Sequence, residues 1–142
     1  MAKKKTQKSW VLVSPKPSRP KIPDILKAEV EAKVADLIDN VLTARYVKPP
    51  PKDCPWNYLV GIDSKWHQGF FYVYGTYRSR GRTAITPTFE TGLARMEYVG
   101  RNRFDLAYMR HTGKWHGTEY QRLTLDQCLD AIRDDSLFLG EP

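Results

Sequence analysis

Apolar residues recur along this chain with two periods, and the change between them lays out its architecture. Between residues 24 and 44, Leu26, Val30, Val34, Leu37 and Val41 follow at spacings of four, four, three and four, with Ile38 and Leu42 beside them. That is the stripe of a helix that buries one face. Pro23 suits the first helical position, where its missing N–H would be unpaired anyway, and Asp24 and Glu29 lie near the positive end of the helix dipole. Pro49, Pro50 and Pro51 cannot continue a helix, so it is expected to end near Ala44.

From Trp56 the period becomes two. Tyr58, Val60 and Ile62 alternate with Asn57, Leu59 and Gly61, and Phe71, Val73 and Tyr77 interleave with Phe70, Tyr72, Tyr74 and Thr76. Alternation rich in aromatic and β-branched residues predicts strands. Residues 63–69 read as their connection and residues 78–87 as a basic loop. Residues 93–99 and 103–110 read as a hairpin around Gly100-Arg101-Asn102, a turn that tolerates positive φ. Thr112-Gly113-Lys114 then turns the chain into a last strand over residues 115–121.

The second helix has the strongest local signal. Thr124 and Gln127 are spaced as a capping box, and Leu123 before the cap is placed to pack on Cys128. Leu125, Cys128, Leu129 and Ile132 form the buried stripe, with Asp126 at its start and Arg133 near its end, as the dipole prefers. The expected fold is therefore α+β: an antiparallel sheet of four to five strands, bracketed by an N-terminal and a C-terminal helix that cover one face. No repeat at solenoid or propeller spacing is present.

Composition divides the chain in two. Residues 1–22, rich in proline and lysine, cannot bury enough apolar surface to offset their ordering entropy and read as a flexible basic arm, with Trp10 to Val13 as an apolar exception. Residues 23–142 read as one domain. The net charge is +7, and residues 1–21 hold seven bases (among them Lys3, Lys4 and Lys5) and no acid. The remaining 16 bases meet 16 acids, so the domain itself is neutral. Its bases concentrate between Gly75 and Trp115, and its acids in the helical ends.

Cys54 and Cys128 are too few for a disulfide framework and lack metal-ligand spacing, which suggests reduced thiols in a cytoplasmic protein. No apolar run approaches the roughly 20 residues of a membrane span, and no secretory signal is read. No Gly-rich phosphate loop or nucleophile motif is present, and neither metal nor cofactor is expected.

Two constellations carry chemistry. Arg78, Arg80, Arg82, Arg101 and Arg103 lie among aromatics such as Tyr72, Tyr74, Tyr98 and Tyr108. Cationic grooves lined with aromatic platforms bind single-stranded nucleic acid, and the lysine-rich arm would add salt-sensitive affinity. The competing reading is arginines that decorate turns while tyrosines pack beneath the helices. The second constellation is Arg110, His111 and His116. A two-residue turn at Gly113-Lys114 would set His111 opposite His116, about 5 Å apart, as acid and base for a metal-independent, ribonuclease-like phosphodiesterase in which Arg110 steadies phosphate charge. The competing reading is two surface histidines at a hairpin tip. Trp56, Trp66 and Trp115, with Phe70, Phe71 and Tyr77, read mainly as core, with a partner-binding patch as the alternative. A non-catalytic binding or accessory module, contacting nucleic acid or an acidic protein partner, is the preferred reading.

The stretch ARMEYVGRNRFDLAYMRHTGKW, with LTLDQCLDAIRDD behind it and a proline run after the first helix, resembles a family of short bacterial proteins of unknown function. The likeness spans residues 24 to 136. It implies the order helix, strands, helix and a bacterial cytoplasmic setting, and it implies no activity.

Overall fold

The computed structural model describes residues 20–50, 56–79 and 88–140. Lys3, Lys4, Lys5, Arg80, Arg82, Cys54 and the Trp10–Val13 stretch lie outside the described residues. The chain begins with helix α1 (Asp24–Leu37), passes through a π-helical turn (Ile38–Leu42) and closes with α2 (Thr43–Tyr46), two residues later than the proline run suggested. Leu26, Val30, Val34, Ile38 and Leu42 are all buried, a strict four-residue spacing. On a regular α-helix each such step overshoots a full turn by roughly 40°, so the stripe would rotate off the sheet. The wider winding of the π turn takes up that drift and returns Ile38 and Leu42 to the core.

Five strands follow as an antiparallel meander in sequence order: β1 (Tyr58–His67), β2 (Phe70–Arg78), β3 (Thr88–Gly100), β4 (Arg103–Met109) and β5 (Trp115–Gly117). Strand β1 runs straight through the residues expected to be a connection. Asp63, Lys65 and His67 pair with Tyr74, Tyr72 and Phe70, while Ser64 and Trp66 between them pair with Val73 and Phe71. The real turn is only Gln68-Gly69, with φ of 50° and 85°. Arg101-Asn102, with φ of 53° and 58°, links β3 to β4 in the same way, as expected. Positive φ at both central residues is the hairpin geometry whose twist matches that of the strands.

The last strand is shorter than expected. After Gly117 the pairing with β4 becomes irregular: Thr118 N–H and Oγ1 both donate to the Leu106 carbonyl, at 3.2 and 2.8 Å, and Leu106 N–H donates to the Tyr120 carbonyl at 2.9 Å. Phe104 and Leu123 exchange both backbone hydrogen bonds, at 2.8 and 2.9 Å. This places the start of helix α3 (Leu125–Asp134) beside the sheet. Both halves of the capping box form: Gln127 N–H donates to Thr124 Oγ1 at 3.2 Å and Thr124 N–H to Gln127 Oε1 at 2.9 Å. Thr124→Ala is expected to lower stability by about 1 kcal/mol, measured as a lower urea midpoint; an unchanged midpoint would mean that the box contributes nothing.

A short helix, α4 (Ser136–Leu139), was not foreseen. The Asp135 carboxylate caps it by accepting from Leu137 N–H, and also accepts from the Tyr120 hydroxyl at 2.6 Å. The Tyr120 bond, then the backbone bond, holds the Asp135 carboxyl below its ordinary range. Among the described residues the helices lie on one face of the sheet, where Phe71, Val73, Met96, Phe104 and Leu106 meet Val30, Val34, Cys128 and Ile132. Tyr98, read from the sequence as an exposed aromatic, is 8% exposed in this core because it shares the Met96 side of β3. Tyr108 likewise packs partly against the core.

Candidate functional site

Side chains of a strand alternate between faces, so the same register that builds the core determines what the helix-free face presents. Lys65 and His67 of β1, Tyr72 and Tyr74 of β2, Gly92 of β3, Met109 of β4 and Trp115 of β5 together line a hollow of ≈ 300 Å³. The Tyr72 and Trp115 rings are 5.6 Å apart, and the His67 ring is 6.3 Å from Tyr72. Gly92 makes the hollow possible. A Cβ there would stand 2.5 Å from Trp115 Cζ2, so the indole lies directly over the β3 backbone.

Arg95 extends this surface. Its guanidinium carbon lies 4.5 Å from the Phe70 ring centroid and 5.4 Å from that of Trp115. Its Nε is buried without a hydrogen-bond partner. Among the described residues no carboxylate forms an ion pair with it. Lys65 stands over Tyr74, 4.6 Å from the ring centroid, and 3.8 Å from the Glu90 carboxylate. Burial, and then the negative charges of Asp63 and Glu90, raise the Tyr74 hydroxyl pKa. Tyr74 therefore stays a neutral donor and acceptor at physiological pH.

Among the described residues, the sequence-predicted arginines are divided between two ends of the sheet. Arg78 ends β2 beside Thr88, at the far end of the sheet from the β3–β4 turn that carries Arg101 and Arg103. Those two share a notch with Arg122. Of the aromatics, Tyr72, Tyr74 and Trp115 line the hollow, with the Phe70 ring beside that of Tyr72. Phe71 is in the core, Trp66 packs against it, and Trp56 is 58% exposed.

The histidine pairing expected from a two-residue turn does not occur. Met109 pairs with Trp115, and Tyr108 stands opposite His116. The loop is closed lower, by Arg110 N–H donating to the Lys114 carbonyl at 2.9 Å and Gly113 N–H to the Arg110 carbonyl at 2.8 Å. His111 is therefore carried into the exposed turn, and Arg110 Nη1 contacts His116 Nε2 at 3.4 Å. Cys128 is inert as a nucleophile, since burial pushes its thiol up to about 12. Among the described residues no group of three or more histidine, cysteine or acidic side chains is placed to hold a metal ion, and no helix is long and apolar enough to cross a membrane.

A family model described as Domain of unknown function (DUF3024) matches residues 22–140. The chain belongs to the DUF3024 family. The match takes in every helix and strand of the domain, hollow and arginine notch included. Neither the curated proteins nor the solved structures compared with this DUF3024 chain contain a match. Several residues of the DUF3024 surface escaped the sequence reading as site residues, among them Lys65, His67, Met109, Gly92, Arg95 and Arg122. Gly92 has a signal in retrospect, a glycine inside a strand that marks a close approach. Arg95 has one in its strand parity. Arg122 has none, because only the Phe104–Leu123 pairing brings it to the β3–β4 turn.

Proposed function

We propose that this DUF3024 domain is a non-catalytic binding module that takes single-stranded nucleic acid on its helix-free sheet face. The observation that carries the reading is Arg95, held against the rings of Phe70 and Trp115 and, among the described residues, in no ion pair with a carboxylate. Domains that bind single strands stack bases on aromatic side chains and guanidinium planes beside a cationic path for the backbone. The hollow suits the base rather than the phosphate: Lys65 is balanced by Glu90, and a carboxylate there accepts from an exocyclic amine. Phosphates are left to Arg95, and Lys3, Lys4 and Lys5 add sequence-independent, salt-sensitive attraction. RNA cleavage by Arg110, His111 and His116 lacks comparable support, because the two imidazoles are not opposed.

The test is a titration of the full chain with a short labelled single strand at several salt concentrations. Tyr72→Ala and Trp115→Ala should each weaken binding roughly five- to a hundredfold, the measured range for removing one stacked base. The K3A/K4A/K5A chain should mainly lose salt dependence, with a slope smaller by up to about two. If only the lysine substitutions matter, the sheet face is not the site. A partner found to be an acidic protein instead would leave both aromatic variants indistinguishable from wild type with nucleic acid.

A further inference from the structure

The notch at the β3–β4 turn differs from the hollow in shape and in charge. Arg101, Arg103 and Arg122 line a space of ≈ 630 Å³ with Val99 and Gly100. The backbone builds this convergence. The two-residue turn presents Arg101 and sets Arg103 as its closing residue, paired with Gly100. The reciprocal Phe104–Leu123 hydrogen bonds lay residue 122 opposite residue 105, two positions along β4 from Arg103, and Arg122 N–H donates to Asp105 Oδ1 at 2.8 Å. Arg101 and Arg122 hold φ of 53° and 57°, a left-handed conformation that costs a side-chain-bearing residue stability.

None of the three arginines forms an ion pair with a carboxylate among the described residues. The acids across the adjoining groove are already engaged: Glu29 and Asp126 both pair with Lys33, at 3.4 and 3.1 Å. Asp105 is bound to the Arg122 backbone. Three guanidinium groups, two of them on left-handed backbone, are thus gathered against their mutual repulsion, beside Asp105 and its cross-strand partner Glu97.

We propose that this notch binds a phosphate group carrying two negative charges, as in a phosphomonoester, a pyrophosphate or the terminal phosphate of a strand. Three guanidinium groups meet the three terminal oxygens of a phosphomonoester, which carries about −1.5 to −2, whereas an internal diester offers two such oxygens and a single charge. Guanidinium forks meet phosphate oxygens with paired hydrogen bonds, a geometry that lysines do not provide. The notch draws on different residues from the hollow and stands or falls separately from nucleic-acid binding.

Calorimetry of the full chain with pyrophosphate, inorganic phosphate and acetate tests it. Pyrophosphate and phosphate should bind, and acetate should not. R101G/R122G puts glycine at two left-handed positions, so its unfolding midpoint should equal or exceed that of wild type. Its pyrophosphate affinity should fall at least roughly tenfold, the loss expected from removing charge-assisted hydrogen bonds. Arg103, on regular strand backbone, provides the second variant: R103A should show the same loss with the fold intact by circular dichroism. Trp115→Ala should leave pyrophosphate binding unchanged. A 5′-phosphorylated strand that binds more tightly than its 5′-hydroxyl counterpart identifies the ligand as a strand end, and equal binding identifies it as a free phosphate compound. Absence of pyrophosphate binding by wild type, or affinity unaltered in R103A and R101G/R122G, overturns the proposal.

Discussion

Phe104→Ala is expected to destabilise the domain by about 3–5 kcal/mol, the range for removing a fully buried aromatic ring. The ring has no solvent exposure and lies 5.5 Å from that of Tyr98, between the sheet and the helical layer. Its backbone also exchanges two hydrogen bonds with Leu123, immediately before the cap of α3. The loss should therefore be the transfer energy of the ring plus that of a cavity whose walls, pinned by those bonds, cannot close. Since small domains are stable by only about 5–15 kcal/mol, such a change removes a large fraction of the margin. Urea unfolding followed by circular dichroism measures it. A shift equivalent to less than about 1 kcal/mol would mean that the site collapses freely and that α3 is not anchored there.

Gly92→Ala is expected to abolish the hollow. The new methyl would stand 2.5 and 2.6 Å from Trp115 Cζ2 and Cη2, and 3.2 Å from Met109 Cε. The β3 backbone is central in the sheet and cannot retreat, so the indole must leave, and with it the ring contact to Tyr72. Overpacking of this kind costs about 1–3 kcal/mol. Its functional effect should match that of Trp115→Ala, a roughly five- to hundredfold loss of single-strand affinity. Tryptophan emission should shift to the red as Trp115 enters water. Unchanged emission together with unchanged stability would show that Trp115 has another place to rest and that Gly92 is not what shapes the surface.

What the sequence revealed depended on how local the controlling interactions are. The capping box was legible because Thr124 and Gln127 are three residues apart and satisfy each other. The first helix was legible from its stripe, and its π turn was not, since that turn answers to the drift of the stripe against a sheet formed later in the chain. Half of β1 was hidden by its polar residues: Asp63, Lys65 and His67 face away from the helices, where water and ring faces accept them, so they resembled a loop. Gly113-Lys114 looked like a two-residue turn, but the hydrogen bonds of Arg110 with Lys114 and Gly113 close the loop earlier and shift His111 off the strand. The aromatic half of the candidate surface could be read from Tyr72 and Tyr74. The arginine notch could not, because residues 103 and 122 meet only through tertiary pairing.

The meander has a consequence for chain entropy. Each strand pairs with the one beside it in sequence, and two of the links are only two residues long. The helical layer closes over a much greater span: Lys33 of α1 meets Asp126 of α3 across a separation of 93 residues. Between a two-residue link and that one lie roughly five to six doublings of loop length, or about 3 kcal/mol of additional closure entropy at about 0.6 kcal/mol per doubling. The greatest ordering cost in the molecule therefore falls on the side where the helices meet, and the face left bare by them is assembled from its shortest loops.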